Sequence, residues 1–309
     1  MTDLRVRIEL VKLAHELHVD PEDVQFLDVL SPEQLRDLRG LVNRAAYEPH
    51  EHRFRRLASF GRLVPVPVAA KGTQVALGPL VAARVAAASD ADFAVRLADH
   101  ISPEFLSRLT PYLDPSRVSG IVSRLDDDLV VRVGHLTVGR KEYIPLARFI
   151  SYVPVDTALR VVAEAPPIDL LRTALYAEDL DALDALIAEV PTERLADVLV
   201  AAHDADELAD ALTLLELISV PSRVRVVTVA QGLDADVRDA LIRAVHHHDA
   251  WDALLPVLEA LEVVQVVHLL DVAALREAVV RRRLTEVVAE SGDPAAQAVL
   301  VAVAPRLEG

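Results

Sequence analysis

The stretch SPEFLSRLTPYLDPSRVSGIVSRL, residues 102–125, carries one helical pattern twice. Ser102-Pro103 offers a capping hydroxyl followed by a proline at the first helical position, and Asp114-Pro115 repeats this arrangement twelve residues later. In each half, apolar side chains then share one helix face: Phe105, Leu106 and Leu109, followed by Val118, Ile121, Val122 and Leu125. Helices of about three turns bury little apolar surface alone, so the pattern predicts a stack of similar helix pairs.

Helix-start signals recur along the chain at a regular spacing. They occur at Asp90, Ser102, Asp114 and Asp126, and again at Pro154, Pro167, Asp179 and Pro191. A helix pair therefore takes about 25 residues, at the short end of helical-repeat periods. We predict an all-α fold in which residues 90–309 form a superhelical array, or α-solenoid, of short paired helices. The helices are expected to lengthen after about residue 200, and a last helix is expected from Gly292 to near Arg306.

The first part of the chain predicts a small helical head, residues 1–60. An amphipathic helix covers residues 2–19, and Ser31 and Gln34 have the spacing of a capping box. Residues 61–89 are predicted to be a connector and a first packing helix. Within the connector, Val64-Pro65-Val66-Pro67 is expected to be extended, because a residue before proline avoids the helical conformation.

Three stretches interrupt the simple pattern. Residues 138–144, VGRKEYI, lengthen the spacing between helix starts and predict a longer loop, where binding residues often gather. The segment 47–54, YEPHEHRF, contains Pro49 and predicts a polar loop. The β-branched run Val224–Val229 favours a buried helix over the alternative of a strand, because Pro221-Ser222 precedes it.

The phrase Leu113-Asp114-Pro115, followed by Ile121, Val122 and Leu125, resembles the short paired-helix repeats of one known family. That family is the cytoplasmic N-terminal domain of MgtE-type magnesium transporters, with similar superhelical repeats in the flagellar motor protein FliG. The resemblance covers about residues 90–215. It implies a superhelical domain that, in the family, senses magnesium and docks on CBS domains ahead of a membrane channel. We identify neither a CBS pair nor a channel in this sequence, and no family ligand matches a residue here.

Composition and charge limit the classes of function. The 309 residues include no cysteine, which excludes disulfides, thiolate metal sites and cysteine nucleophiles. The net charge is −16, and residues 167–309 hold 26 acidic and 11 basic side chains. Such a surface repels phosphate backbones, so nucleic acid is not expected as a partner.

The sequence predicts neither a membrane span nor a secretion signal. The most apolar stretch, residues 253–275, contains charged side chains at helical intervals, so we expect no transmembrane segment. Residues 1–10 are charged where a signal peptide would be apolar. The expected location is the cytoplasm.

Two groups of histidines are candidate metal ligands: His50 with His52, and the run His246, His247 and His248. The first pair would need a third ligand, such as His15 or His18 on the first helix. The run lies at a predicted helix C-terminus, where the helix dipole favours cationic groups and offers a structural alternative. We predict no resident cofactor.

Catalytic motifs are missing from the sequence. It has no G-x-S-x-G, P-loop, H-E-x-x-H or glycine-rich fingerprint, so we predict no catalytic residue. The candidate binding residues are aromatic side chains that could line a groove: Tyr143, Phe149, Tyr152 and Tyr176.

Three functional hypotheses follow. The first is a non-enzymatic helical-repeat scaffold or regulatory protein that binds another protein, with homo-oligomerisation as a further option. The alternative is a carrier or enzyme for an apolar small molecule such as a lipid, which the apolar composition favours. The third is a regulator that senses divalent cations through the acidic surface.

Overall fold

The computed structural model describes residues 4–261, 263–291, 297 and 301, which contain α-helices and 3-10 helices but no strand. The all-α prediction is confirmed. The last helix expected between Gly292 and Arg306 lies outside the described residues, apart from positions 297 and 301. Across the described part, every helix is too short or too polar to cross a membrane.

Twenty α-helices are described. They are α1 (Leu4–Leu17), α2 (Pro32–Tyr47), α3 (Glu51–Gly61), α4 (Val66–Ala76), α5 (Pro79–Ala87), α6 (Ala91–Ala98), α7 (Pro103–Leu109), α8 (Pro115–Val122), α9 (Asp127–Gly139), α10 (Tyr143–Arg148), α11 (Val155–Glu164), α12 (Pro167–Ala174), α13 (Leu180–Glu189), α14 (Thr192–Asp204), α15 (Leu208–Leu217), α16 (Val220–Gln231), α17 (Ala235–His247), α18 (Trp251–Ala260), α19 (Val263–Leu270) and α20 (Ala278–Ser291). Five 3-10 helices lie between them: Pro21–Leu27, Glu48–His50, Thr110–Tyr112, Ile150–Tyr152 and Ala273–Arg276.

The predicted helix-start residues are side-chain caps. An oxygen of Asp90, Ser102 or Asp126 accepts a hydrogen bond from the backbone N–H three residues later, at 3.1, 3.3 and 3.1 Å respectively. Asp114 accepts from the N–H of Ser116 at 3.1 Å. These bonds satisfy N–H groups that a helix cannot pair internally, which explains the twelve-residue rhythm of helix starts. The predicted starts at Pro154, Pro167, Asp179 and Pro191 and the capping box at Ser31 and Gln34 are also confirmed.

The expectation of an extended Val64-Pro65-Val66-Pro67 was wrong in its second half. Pro65 is extended and precedes α4, but Val66 and Pro67 are the first two residues of that helix. A proline at this position lacks only an N–H that would have no helical partner. The two prolines therefore start a helix here.

The expectation of a longer loop at residues 138–144 was also wrong. Helix α9 continues to Gly139, and only Arg140, Lys141 and Glu142 separate it from α10. Lys141 adopts a positive φ of 62°, which lets the chain reverse within this short turn. The extra residues lengthen a helix and add little to the loop. The run Val224–Val229 is helical, as predicted.

Contacts divide the chain into two compact units. Unit 1 comprises the chain up to Ala165 together with Tyr176–Asp179, and unit 2 comprises Pro166–Leu175 and the chain from Leu180. Within each unit, helices two places apart in the chain pack together. In unit 1, α3 packs on α5, α5 on α7, α7 on α9 and α9 on α11, while α4 packs on α6 and α6 on α8. In unit 2, α12 packs on α14, α14 on α16, α16 on α18, α18 on α20 and α15 on α17.

Apolar side chains fill the space between these helices. In the head, α1 and α2 enclose Leu10, Leu13 and Leu35. In the middle of unit 1, Ile101, Phe105 and Leu109 pack on alanines of α4 and α5. A separate core in unit 2 contains Leu199, Val229 and Ala230. The apolar stripes read from the sequence are therefore the inner faces of the helices.

Candidate functional site

The polar segment around Pro49 is helical, so the prediction of a loop there was wrong. Glu48–His50 is a 3-10 helix that leads directly into α3, and His52 lies on the first turn of α3. Pro49 occupies an early helical position, where its missing N–H is not needed. Both His50 and His52 are exposed.

The two histidines considered as companions make ring contacts instead. The ring of His18 stacks on Tyr112 with centroids 5.4 Å apart, and His15 lies 6.5 Å from His18. Over the described residues, no group of three histidine or carboxylate side chains is placed to hold a metal ion.

The histidine run lies at the end of α17, as predicted. His246 is partly buried, and its Nδ1 has no hydrogen-bond partner in the described structure. His247 and His248 are exposed, with their rings edge to face at 4.9 Å. A metal site at either histidine group stays a prediction.

The aromatic residues of the predicted groove lie on two separate segments. Tyr143 begins α10, Phe149 follows it and Tyr152 ends the next 3-10 helix, whereas Tyr176 follows α12. Phe149 is buried and the three tyrosines are partly buried. A groove at these side chains stays a prediction.

Unit 1 contains an apolar cavity of about 220 Å³ that touches every helix from α3 to α8. Sequence reasoning did not find this cavity. Much of one wall comes from the stripes of residues 102–125, including Leu106, Leu109, Val118, Ile121, Val122 and Leu125. The space exists because many opposing positions carry alanine or glycine, such as Ala58, Gly61, Ala82 and Ala86. A site of this kind binds apolar groups and carries no reacting side chain.

A second feature is the exposed apolar face, which we define as Phe60, Leu63, Val64, Val68 and Val75 on and between α3 and α4. Phe60 is 65% exposed, Leu63 78% and Val75 80%. Arg56 precedes Phe60 by one helical turn, and Lys71 lies between Val68 and Val75 on the same side of α4. A cluster of large apolar side chains in contact with water is typical of an interaction surface.

A third feature is the buried charge network, named for its buried members Glu9, Lys12 and Arg39. Glu16 and Arg148 are partly buried members, and Glu178 is at its exposed edge. Lys12 Nζ lies 3.1 Å from Glu9 Oε1, and Arg39 Nη2 lies 3.4 Å from Glu9 Oε2. Arg39 also pairs with Glu178, while Arg148 lies 3.2 Å from Glu16. Each acidic side chain has a basic partner, so the network joins α1, α2 and α10 and leaves none of these carboxylates unpaired.

Burial and charge shift several pKa values in this region. Burial lowers the pKa of Lys12, and the charge of Glu9 only partly offsets this. Burial alone would raise the pKa of Glu178, but the charge and hydrogen bond of Arg39 lower it. The pKa of His15 is lowered to about 4, mainly by burial and to a smaller extent by the charges of His18 and Arg148. His15 is therefore neutral near pH 7.

The run Asp126-Asp127-Asp128 has structural partners. Asp126 caps α9, Asp127 accepts a hydrogen bond from Thr157 Oγ1 at 2.8 Å, and Asp128 pairs with Arg160 at 2.5 Å. The hydrogen bond and charge of Arg160 lower the pKa of Asp128. These carboxylates join α9 to α11.

Comparison with protein-family models, with curated proteins and with solved structures found no match for this chain.

Proposed function

We propose that this chain is a non-enzymatic helical-repeat scaffold that binds another protein through the exposed apolar face. The observation that carries the proposal is that the large apolar side chains of Phe60, Leu63 and Val75 are exposed to water. A protein partner bound at this surface would remove them from water. The packing of many helices on the helix two places along, such as α5 on α7 and α14 on α16, supports a repeat array of the solenoid class.

The position of this face within unit 1 supports the proposal. In a repeat array, the first helices lack a preceding neighbour, and terminal repeats usually carry polar outer surfaces for that reason. Helices α3 and α4 begin the two series of packed helices in unit 1. Their outer sides carry valine, leucine and phenylalanine where a terminal repeat would carry polar residues.

The chemistry of the face favours an amphipathic helix with acidic residues beside its apolar side. Val68 and Val75 lie on one side of α4, and the apolar side chains of an amphipathic helix recur with the same period. Arg56 and Lys71 are exposed and form no ion pair within the described structure, so they are free to pair with carboxylates. The partner would thus bury apolar surface and neutralise two cations.

Site-specific photocrosslinking tests this proposal. Benzoylphenylalanine at position 60 is expected to give one discrete adduct with a different protein, because Phe60 is the one aromatic residue of the face and is 65% exposed. The same probe at Val279 on α20, which is also half exposed, is the control and is expected to give no such adduct.

The interaction is then measured with the purified partner identified in that adduct. Arg56→Glu combined with Lys71→Glu is expected to weaken binding at least tenfold, and reversal of acidic residues on the partner is expected to restore it. An adduct between two copies of this chain, or equal adducts at positions 60 and 279, would contradict the proposal.

A further inference from the structure

We propose that the apolar cavity of unit 1 binds the unbranched hydrocarbon tail of a fatty acid, with the carboxylate outside the cavity at Arg53. This inference goes beyond protein binding and rests on a different set of residues. The cavity lies between helices α3 to α8, whereas the side chains of the exposed apolar face do not line it and are in contact with water.

The size of the cavity supports occupation by an apolar group. An apolar cavity of roughly 150 Å³ in a protein core stays free of water and takes up benzene. At about 220 Å³, the cavity in unit 1 is larger than that. Its wall atoms lose van der Waals contacts when no apolar molecule is present, which gives the ligand a source of binding free energy.

The cavity has no side-chain hydroxyl proton free to donate to a carboxylate. Its side-chain hydroxyls belong to Thr73 and Ser89. The Thr73 hydroxyl donates to the carbonyl of Ala69 at 2.9 Å, and the Ser89 hydroxyl donates to the carbonyl of Val85 at 2.7 Å. Because both donors are used within their own helices, a carboxylate inside the cavity would lose its hydrogen bonds to water without replacement. The part of the ligand inside must therefore be hydrocarbon.

The arrangement of the wall favours a chain over a compact ring. The lining residues come from six successive helices, with Leu57 and Gly61 at one end of that series and Val122 and Leu125 at the other. Neighbouring packed helices lie about 8–10 Å apart, so a cavity that touches α3, α5 and α7 is elongated. An unbranched alkyl tail matches that shape.

The opening of the cavity lies beside a cation. Leu57 lines the cavity and is also 44% exposed, so the cavity reaches the surface beside α3. Arg53 precedes Leu57 by four residues and therefore lies on the same side of the helix. Arg53 is exposed and enters no ion pair in the described part of the chain. A carboxylate at the end of the tail would meet its guanidinium.

Binding is tested on the full chain by titration with the fluorescent fatty acid cis-parinarate and displacement by decanoate. We expect saturable binding of one molecule per chain. Ala86→Leu places a larger side chain in the cavity and is expected to weaken binding at least tenfold. Ala87→Leu is the matched control, because position 87 is on the same helix but does not line the cavity, and it is expected to bind as the wild type.

The headgroup is tested with ligands that share one tail. Decanoate, 1-decanol and decyltrimethylammonium carry a negative, neutral and positive end. Arg53→Gln is expected to weaken decanoate binding by about tenfold and to leave 1-decanol binding unchanged. Equal affinity for decanoate and decyltrimethylammonium in the wild type would overturn the assignment of the carboxylate to Arg53.

Two outcomes would overturn the cavity site itself. One is the absence of saturable binding, and the other is wild-type affinity in a folded Ala86→Leu protein. Circular dichroism checks folding, and Ala94→Leu places a larger side chain in the cavity from α6 if Ala86→Leu does not fold. Arg56→Glu combined with Lys71→Glu is expected to weaken binding of the protein partner and to keep decanoate binding, because neither residue lines the cavity, so the two proposals fail independently.

Discussion

Arg36 and Arg39 show how burial changes the contribution of an ion pair to stability. Both approach Glu9 to 3.4 Å, but the Arg36 side chain is 55% exposed whereas that of Arg39 is 9% exposed. An exposed ion pair is screened by water and contributes little. A buried pair leaves an uncompensated charge when one member is removed, so its loss is costly.

We therefore expect Arg39→Met to lower the free energy of unfolding of unit 1 by about 3 kcal/mol. Arg36→Met, the matched control, is expected to cost less than about 1 kcal/mol. Hydrogen exchange of the α1 and α2 amides in increasing urea measures both values. Equal losses for the two variants would show that Arg39 does not act through the buried charge network.

The lowered pKa of His15 predicts a pH dependence of stability. Its pKa is about 4 in the folded chain, whereas an unfolded histidine titrates near 6.5. Between these values the unfolded chain binds more protons, so the stability of unit 1 is expected to fall as the pH falls from about 6.5 towards 4. Above pH 6.5 His15 contributes no pH dependence.

His15→Gln is expected to flatten the stability of unit 1 between pH 6.5 and 5, as followed by the urea midpoint. His50→Gln, which replaces an exposed histidine, serves as the control and keeps the wild-type dependence. A wild-type slope in His15→Gln would assign the effect to another group.

At the scale of the elements, polar contacts join helices that are about 30 residues apart in sequence. Arg160 pairs with Asp128, and Arg225 donates to the carbonyl of Val190 at 2.7 Å. Arg172 donates to Glu207 through Nε, at 3.1 and 3.2 Å, and through Nη2. These contacts recur within both units at similar sequence separations. Several alignments of two helices could bury their apolar faces equally well, and these polar contacts favour one of them.

Glycine 134 marks a close approach between two such elements. A Cβ atom added to Gly134 on α9 would lie 2.9 Å from Val161 Cγ2 on α11, closer than real Cβ contacts. A Cβ atom added to Gly120 on α8 would meet no other atom within 4 Å. Gly134 therefore has no room for a larger side chain, whereas Gly120 has.

Gly134→Ala is expected to lower the free energy of unfolding by about 2 kcal/mol because it overpacks this contact. Gly120→Ala is expected to raise it by about 0.5–1 kcal/mol, since alanine favours a helix. Urea denaturation measures both. Adding Val161→Ala to Gly134→Ala should recover part of the loss, and a stabilising Gly134→Ala would contradict the close packing.

At the scale of the whole molecule, the two units differ in charge and in spectroscopic probes. Most of the excess negative charge lies after residue 166, whereas the cavity, the exposed apolar face and the buried charge network belong to unit 1. The single tryptophan, Trp251, is buried in unit 2. Its fluorescence therefore reports on the unfolding of that unit.

Leu199→Ala removes a buried side chain from the unit 2 core and is expected to lower stability by about 3 kcal/mol. The loss should appear in the tryptophan transition. Arg39→Met is the contrasting variant and should shift the circular dichroism transition of unit 1 without an equal shift in tryptophan fluorescence. Identical shifts for both variants would indicate one cooperative unit.

The local features of the fold could be predicted because their causes are local. A capping side chain acts within three residues, and an apolar face repeats every three or four, so the helix starts from Asp90 to Pro191 could be read directly. Two of the three wrong expectations also concern local rules. Pro49 and Pro67 were interpreted as helix breakers. In the first turn of a helix, however, the backbone N–H has no partner within the helix, so a proline there costs no hydrogen bond.

The candidate sites could not be predicted, because they depend on distances between segments far apart in sequence. The pair Arg39–Glu178 joins residues separated by 139 positions. The cavity exists only because alanines on α3, α5 and α6 face leucines and valines of α7 and α8. Whether Phe60 is inside or outside depends on which helix packs against α3. The sequence by itself determined an all-α chain of short, capped helices. The tertiary structure alone decided where their apolar faces leave space and where they meet water.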